Sequence, residues 1–157
     1  MKALVAYFSC TGVTERLAHT LAAAAHADLY RIEPAVPYTA ADLNWNNPQS
    51  RSSLEMQDKQ SRPAIKGKAD NLGQCDTVFI GFPIWWGIAP TLINTFLENY
   101  DFSGKTIVPF ATSGGSDVGE TDQWLHSSCS AATRWHPAMR FPVDVKAGEL
   151  EEWLREM

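Results

Sequence analysis

Three times along this chain a continuous apolar run passes through a short loop rich in hydroxyl residues, glycine or proline, then into a segment with apolar side chains at helical spacing. No other feature narrows the fold as much. The run Ala3 to Phe8 leads through Ser9, Cys10, Thr11, Gly12, Val13 and Thr14 to Leu17, Ala18, Leu21, Ala22 and Ala25. Thr77 to Phe82 leads through Pro83 to Pro90 to Leu92, Ile93, Phe96, Leu97 and Tyr100, and Thr106 to Thr112 leads through Ser113 to Gly119 to a helix expected from about Glu120 to Ala132. Apolar strands alternating with helices call for a parallel sheet covered on both faces, because right-handed crossovers place the helices there.

The remaining segments complete that scheme. Asp28 to Glu33 reads as a half-buried edge strand closed by Pro34 and Pro37, and Arg134 to Phe141 as a short last strand. Leu150, Trp153, Leu154 and Met157 form the apolar stripe of a closing helix. The expectation is an α/β fold with a doubly wound, five-stranded parallel sheet in the order 2-1-3-4-5. Two features resist it: Pro109 falls in an interior strand, where a bulge or strand end is expected, and residues 34–68 are polar, with one short helix expected around Gln49 to Gln60.

At 157 residues, with 45% hydrophobic composition, the chain suffices for one core and one domain, residues 1–157. The net charge of −5 and the lack of any Lys/Arg cluster argue against nucleic acid and anionic membranes as partners. After Cys75 there are 11 acidic and 5 basic residues, which suits either a solvated acidic face or docking of a basic partner. Cys10, Cys75 and Cys129 are odd in number and widely spaced, so reduced thiols and a cytoplasmic location are expected. No apolar run approaches the roughly 18 residues of a membrane span, and the first ends too early for a signal peptide.

In a sheet of this order the strand-to-helix loops gather at the carboxyl edge, and ligands bind in the crevice where the strand order reverses. The first loop places hydroxyls and a glycine at a helix N-terminus, a setting for a phosphate monoester or simply a Ser/Thr-capped turn. Lacking a lysine and any Gly-x-Gly-x-x-Gly pattern, it is neither a P-loop nor a dinucleotide loop. The second loop sets Trp85 and Trp86 between Pro83 and Gly87. The two indoles either plug the core edge or flank a flat aromatic ligand, with Thr112, Ser113, Gly114 and Gly115 able to close on its other edge.

Taken together, Tyr7 to Thr14, Gly81 to Pro90 and Pro109 to Gly115 resemble the flavodoxin family, in particular its short FMN-binding members. The likeness extends to Asp42 to Trp45, Ser50 to Met56 and Arg62 to Ile65, which resemble a stretch those members carry after strand 2. The resemblance implies FMN as cofactor. It assigns Ser9, Thr11, Gly12, Val13 and Thr14, with Cys10 in the same loop, to the phosphate, and Pro83, Ile84, Trp85, Trp86 and Gly87 to the isoalloxazine. Thr112, Ser113, Gly114 and Gly115 run along its other side. Val13 stands where the pattern usually has Asn, which removes a side-chain contact and leaves the amide.

The histidines, His19, His26, His126 and His136, share no spacing and read as surface or cap residues, so no metal is expected. Cys10 sits near a helix N-terminus, which would lower its pKa, although a bound phosphate would oppose the thiolate. The expected function is electron transfer through non-covalently bound FMN to or from a partner protein or small-molecule acceptor. The alternatives are an NAD(P)H-dependent FMN oxidoreductase acting on quinones or other small acceptors and, from another class, a non-redox module for a phosphate ligand.

Overall fold

The computed structural model describes residues 2–113 and 117–157. Its main sheet is formed by β1 (Ala3–Tyr7), β2 (Asp28–Arg31), β5 (Thr77–Pro83), β6 (Thr106–Thr112), β7 (Arg134–Trp135) and β8 (Met139–Phe141). A two-stranded ribbon pairs β3 (Glu33–Pro34) with β4 (Ile65–Lys66). The helices are α1 (Val13–Ala25), α2 (Arg51–Gln57), α3 (Thr91–Glu98), α4 (Thr121–His126) and α5 (Ala147–Arg155). Strand order is β2-β1-β5-β6-β7, with β8 continuing beside β6. All these pairings are parallel. Counting β7 and β8 as one interrupted strand, this is the expected 2-1-3-4-5 order.

Strand geometry divides the core cleanly. Along β1, Leu4 and Ala6, with Phe8 just beyond, enter one apolar cluster with Val78, Ile80 and Phe82 of β5, beneath α3 and α4. Ala3, Val5 and Tyr7 enter the other, with Phe79, Val108 and Phe110, beneath α1 and α5. Gly81 leaves the space that the Phe110 ring occupies: a Cβ there would fall 2.3 Å from Phe110 Cζ.

Pro109 lies inside β6 without the expected bulge or strand end. Its register with Ile80 of β5 is unbroken. The accommodation is in the neighbouring strand. Ile107 O accepts from His136 N on the β7 side, and Pro109, two residues on, faces the same side. There the fifth strand is interrupted at residues 136–138, so no ladder partner needs the missing N–H.

Three boundaries differ from expectation. α4 ends at His126 rather than near Ala132, leaving Cys129 outside it, and the chain beyond goes over to i→i−3 turns, with Ser128 N donating to Leu125 O at 3.0 Å and Cys129 N to His126 O at 3.2 Å. Ser127 Oγ donates to Trp124 O at 2.9 Å, and Ser128 Oγ donates to Glu98 Oε2 at 2.8 Å. The second strand stops at Arg31, after which buried Ile32 turns the chain into the ribbon. α2 occupies Arg51–Gln57, inside the stretch expected to be helical, with Ser50 as its N-cap. Among the described residues no helix is long and apolar enough to cross a membrane.

Candidate functional site

β1 and β5 end side by side, and the chain leaves them in opposite directions along the sheet, the first toward α1 and the second toward α3. The strand order reverses here. The first loop is closed by Ser9 Oγ, which accepts from Gly12 N at 3.1 Å. Gly12 then enters α1 with φ +90°, a conformation that L side chains rarely adopt. No side chain caps α1, so the free N–H groups and positive dipole end of its first turn are open to a ligand.

The three loops are joined at their base. Buried Thr14 Oγ1 and Thr112 Oγ1 share a 2.7 Å hydrogen bond, and Ile84 N donates to Thr112 O at 3.3 Å. Above them opens a cleft of about 470 Å³. Cys10, Thr11, Val13 and Thr14 line it from the first loop, Pro83, Ile84, Trp85 and Trp86 from the second, and Thr112 from the third. Leu43, Trp45 and Ser52 complete the wall.

The adjacent tryptophans have different environments. Trp85 is half-buried and meets Phe8 and Tyr38 edge-on, at centroid distances of 5.8 and 5.6 Å, so it plugs the core while one side lines the cleft. Trp86 is 53% exposed. It holds the first central position of a tight turn in which Trp85 N donates to Ile88 O and Ile88 N to Trp85 O. Both central residues have positive φ, +50° at Trp86 and +80° at Gly87, as a type I′ turn requires. For an indole-bearing residue that conformation costs about 1–2 kcal/mol, and it presents the ring between the cleft and a second cavity of about 410 Å³.

The other expected residues lie around the cleft. Ser9 is buried below it and borders a neighbouring cavity, Gly12 shapes the loop backbone, and Gly87 lines the second cavity. Ser113 is held by Arg140, whose Nε donates to its Oγ at 3.2 Å. Gly114 and Gly115 lie outside the described residues. The Cys10 thiol is pushed up to about 11, opposite to the effect expected of a helix N-terminus. Burial outweighs the pull of Arg31 and Arg51. Both arginines are themselves paired, Arg31 with Glu15 at 2.7 Å and Arg51 with Glu55 at 3.0 Å.

The contribution of the segment before α2 was missed from the residues themselves. Trp45 stands among aspartate and asparagine residues in a stretch that a simple connection has no reason to furnish with an indole. The segment is anchored by Arg51, whose Nε pairs with Glu55 Oε2 at 3.0 Å, whose Nη1 donates to Val36 O at 2.7 Å and whose guanidinium lies 3.8 Å from the Tyr38 ring centre. Tyr38 OH donates to Glu55 Oε1, and burial with that contact pushes its pKa well up. Because Tyr38 also packs on Trp85, α2 and the tryptophan loop are mechanically linked. His26 closes α1 in a left-handed conformation and His126 packs on Trp135. Among the described residues no cluster of His, Cys, Asp and Glu is arranged to hold a metal ion.

Comparison with solved structures places this architecture among flavoproteins. A protein from Bacteroides eggerthii classed as a flavoprotein is 50% identical, with TM-score 0.91 over 99% of this chain and 96% of that one. One from Bacteroides uniformis, classed likewise, is 45% identical, with TM-score 0.92 over 98% and 97%. A Lactobacillus acidophilus flavoprotein in complex with FMN shares the fold at 19% identity, TM-score 0.71, over 98% of both chains. No curated protein sequence matches the chain. A sequence model of flavodoxin matches residues 2–157, the whole of the sheet, its helices and the cleft, and on that match the chain belongs to the flavodoxin family.

Proposed function

We propose that this protein binds FMN non-covalently in the cleft between β1 and β5 and carries electrons to or from a partner. The observation that supports this reading best is the pairing, in one cleft, of an uncapped helix N-terminus with an exposed indole held at positive φ. The first suits a dianionic phosphate and the second a flat ring system. The residues fit the group in a further respect: Ser52 lines the cleft, and its buried Oγ has no hydrogen-bond partner among the described residues. A polar ligand edge relieves such a group.

In this reading the turn Gly12–Thr14 and the first-turn amides of α1 bind the phosphate. Thr14, fixed by Thr112, sets the loop's height above the sheet. Pro83, Ile84, Trp85 and Trp86 bind and orient the ring and exclude water from it. Bound FMN supplies the redox chemistry, and no acid–base side chain is needed.

An absorbance spectrum of the purified or FMN-reconstituted protein tests the proposal. Flavin bands are expected, with FMN bound far more tightly than riboflavin, because the phosphate loop supplies much of the affinity. Equal affinities refute the loop assignment, and a protein that ignores FMN refutes the reading altogether, leaving a non-redox phosphate module. Turnover of NADH or NADPH with no added reductase would identify an FMN oxidoreductase rather than a carrier.

A further inference from the structure

The fifth strand breaks off after Trp135 and resumes at Met139, and the resumed piece, β8, runs beside the end of β6 with Arg140 opposite Ala111. Arg140 is thereby brought to the carboxyl edge of the sheet, where the third loop leaves Thr112. There its guanidinium holds Ser113 at two points: Nε donates to the hydroxyl at 3.2 Å and Nη2 to the carbonyl oxygen at 3.3 Å. The strand that presents it is itself fixed, since Phe141 is buried and Ala138 N donates to Asp122 Oδ1 at 2.9 Å. Arg31, Arg51 and Arg62 each meet a glutamate, whereas Arg140 is half-buried and forms no ion pair among the described residues. Both of its acceptors on Ser113 are neutral. A charge partly withdrawn from water without a counter-ion is costly, and a ligand that gains negative charge nearby offsets that cost.

We propose that Arg140 is a positioning residue of the flavin site, pinning the third loop against the cleft and setting a positive charge on the ring side of it. This rests on the FMN reading above. Thr112, next to Ser113, lines the cleft, bonds to Thr14 of the first loop and accepts at its carbonyl from Ile84 N of the second. A shift of Ser113 therefore reaches the cleft wall through one peptide. The choice of ring over phosphate follows from strand alternation. Phe141 enters the cluster beneath α1 and α5, so Arg140 lies on the other face of the sheet, away from the start of α1 and on the side where Trp85 packs. The charge has its own consequence. Reduction adds negative charge to the flavin, and a cation beside a cleft that excludes water favours the reduced form over the oxidised one.

The test titrates wild type, Arg140→Met and Arg140→Lys apoproteins with FMN and with riboflavin, and measures the midpoint potential of bound FMN by dithionite titration against a reference dye. Arg140→Met keeps the aliphatic stem and removes the charge and the donors. It is expected to weaken both flavins by the same factor, about 10-fold, the worth of one charge-assisted hydrogen bond, and to lower the potential. Arg140→Lys should return the potential toward the wild-type value yet recover only part of the affinity, because an ammonium supplies the charge without the planar fork. Should Arg140→Met fail to fold, Arg140→Lys carries the test by itself: weakened binding of both flavins at a near-wild-type potential supports the inference, and wild-type affinity overturns it. Unchanged affinity or unchanged potential in Arg140→Met overturns it too. So does a loss confined to FMN, since Arg140 would then serve the phosphate end. Failure of the FMN reading itself appears earlier and separately, as wild-type protein that binds neither flavin, and it overturns this inference as well.

Discussion

Gly119 should be required for the position of the tryptophan turn, and a matched pair of substitutions isolates the reason. Gly119 has φ +57°, and a Cβ built there would fall 2.3 Å from the carbonyl oxygen of Gly87. Gly104 has a comparable φ of +78°, with nothing within 4 Å of its Cβ position. Gly104→Ala therefore suffers only the left-handed backbone cost, about 1–2 kcal/mol or roughly 2–8 °C in melting temperature. Gly119→Ala suffers the same cost and a collision. The Gly87 carbonyl must withdraw by at least 0.7 Å to restore even a tight 3.0 Å contact, and the withdrawal carries Trp86 with it through the adjoining peptide. Misplacing one binding wall by that much should weaken FMN about 10-fold. Denaturant unfolding of the apoproteins and flavin titration measure the two effects separately. Equal destabilisation of both variants, with wild-type FMN affinity in Gly119→Ala, refutes the reasoning and means the turn holds its position without Gly119.

Four other outcomes are expected. Gly12→Val should abolish FMN binding while leaving riboflavin binding nearly intact, because the side chain intrudes where phosphate meets the α1 amides; paired flavin titrations check it. Trp86→Leu should raise the emission of bound flavin if the indole stacks on it, whereas unchanged emission and affinity would make Trp86 a turn residue only. Cys10, with its thiol raised to about 11, should resist iodoacetamide at pH 8 and react with a midpoint near pH 11; the native state retains the proton longer than the unfolded chain, so this group's contribution is present below pH 9 and declines as pH rises from 9 to 11. Gly81→Ala should cost about 1–3 kcal/mol by overpacking, since its Cβ would lie 2.3 Å from Phe110 Cζ; denaturant unfolding measures it.

The architecture was readable in the chain because it depends on local periodicity. Alternation along Ala3 to Phe8 assigns Leu4, Ala6 and Phe8 to one face of the sheet and Ala3, Val5 and Tyr7 to the other, and apolar residues at helical spacing supply the covering layers. The Ser9 to Thr14 turn and the tryptophan loop were legible as features of the sheet edge for a related reason. Their positions follow from strand order, and their composition is unusual for plain connections.

What local pattern could not supply were the effects of distant partners. The break in the fifth strand opposite Pro109 depends on pairing between strands, and the contact of Ser128 just beyond α4 on Glu98, which lies 30 residues away in the chain. The raised Cys10 pKa depends on burial by neighbours from other segments, which reverses the tendency read from its place beside a helix N-terminus. The sequence by itself determined the doubly wound sheet, the two core faces and the loops at its carboxyl edge, because each follows from residues a few positions apart. Only the tertiary structure decided that Trp85 is a core plug and Trp86 an exposed wall, and that Trp45 and Ser52 join the cleft. Those roles arise where the chain brings remote residues together, and spacing along the sequence carries no information about that meeting.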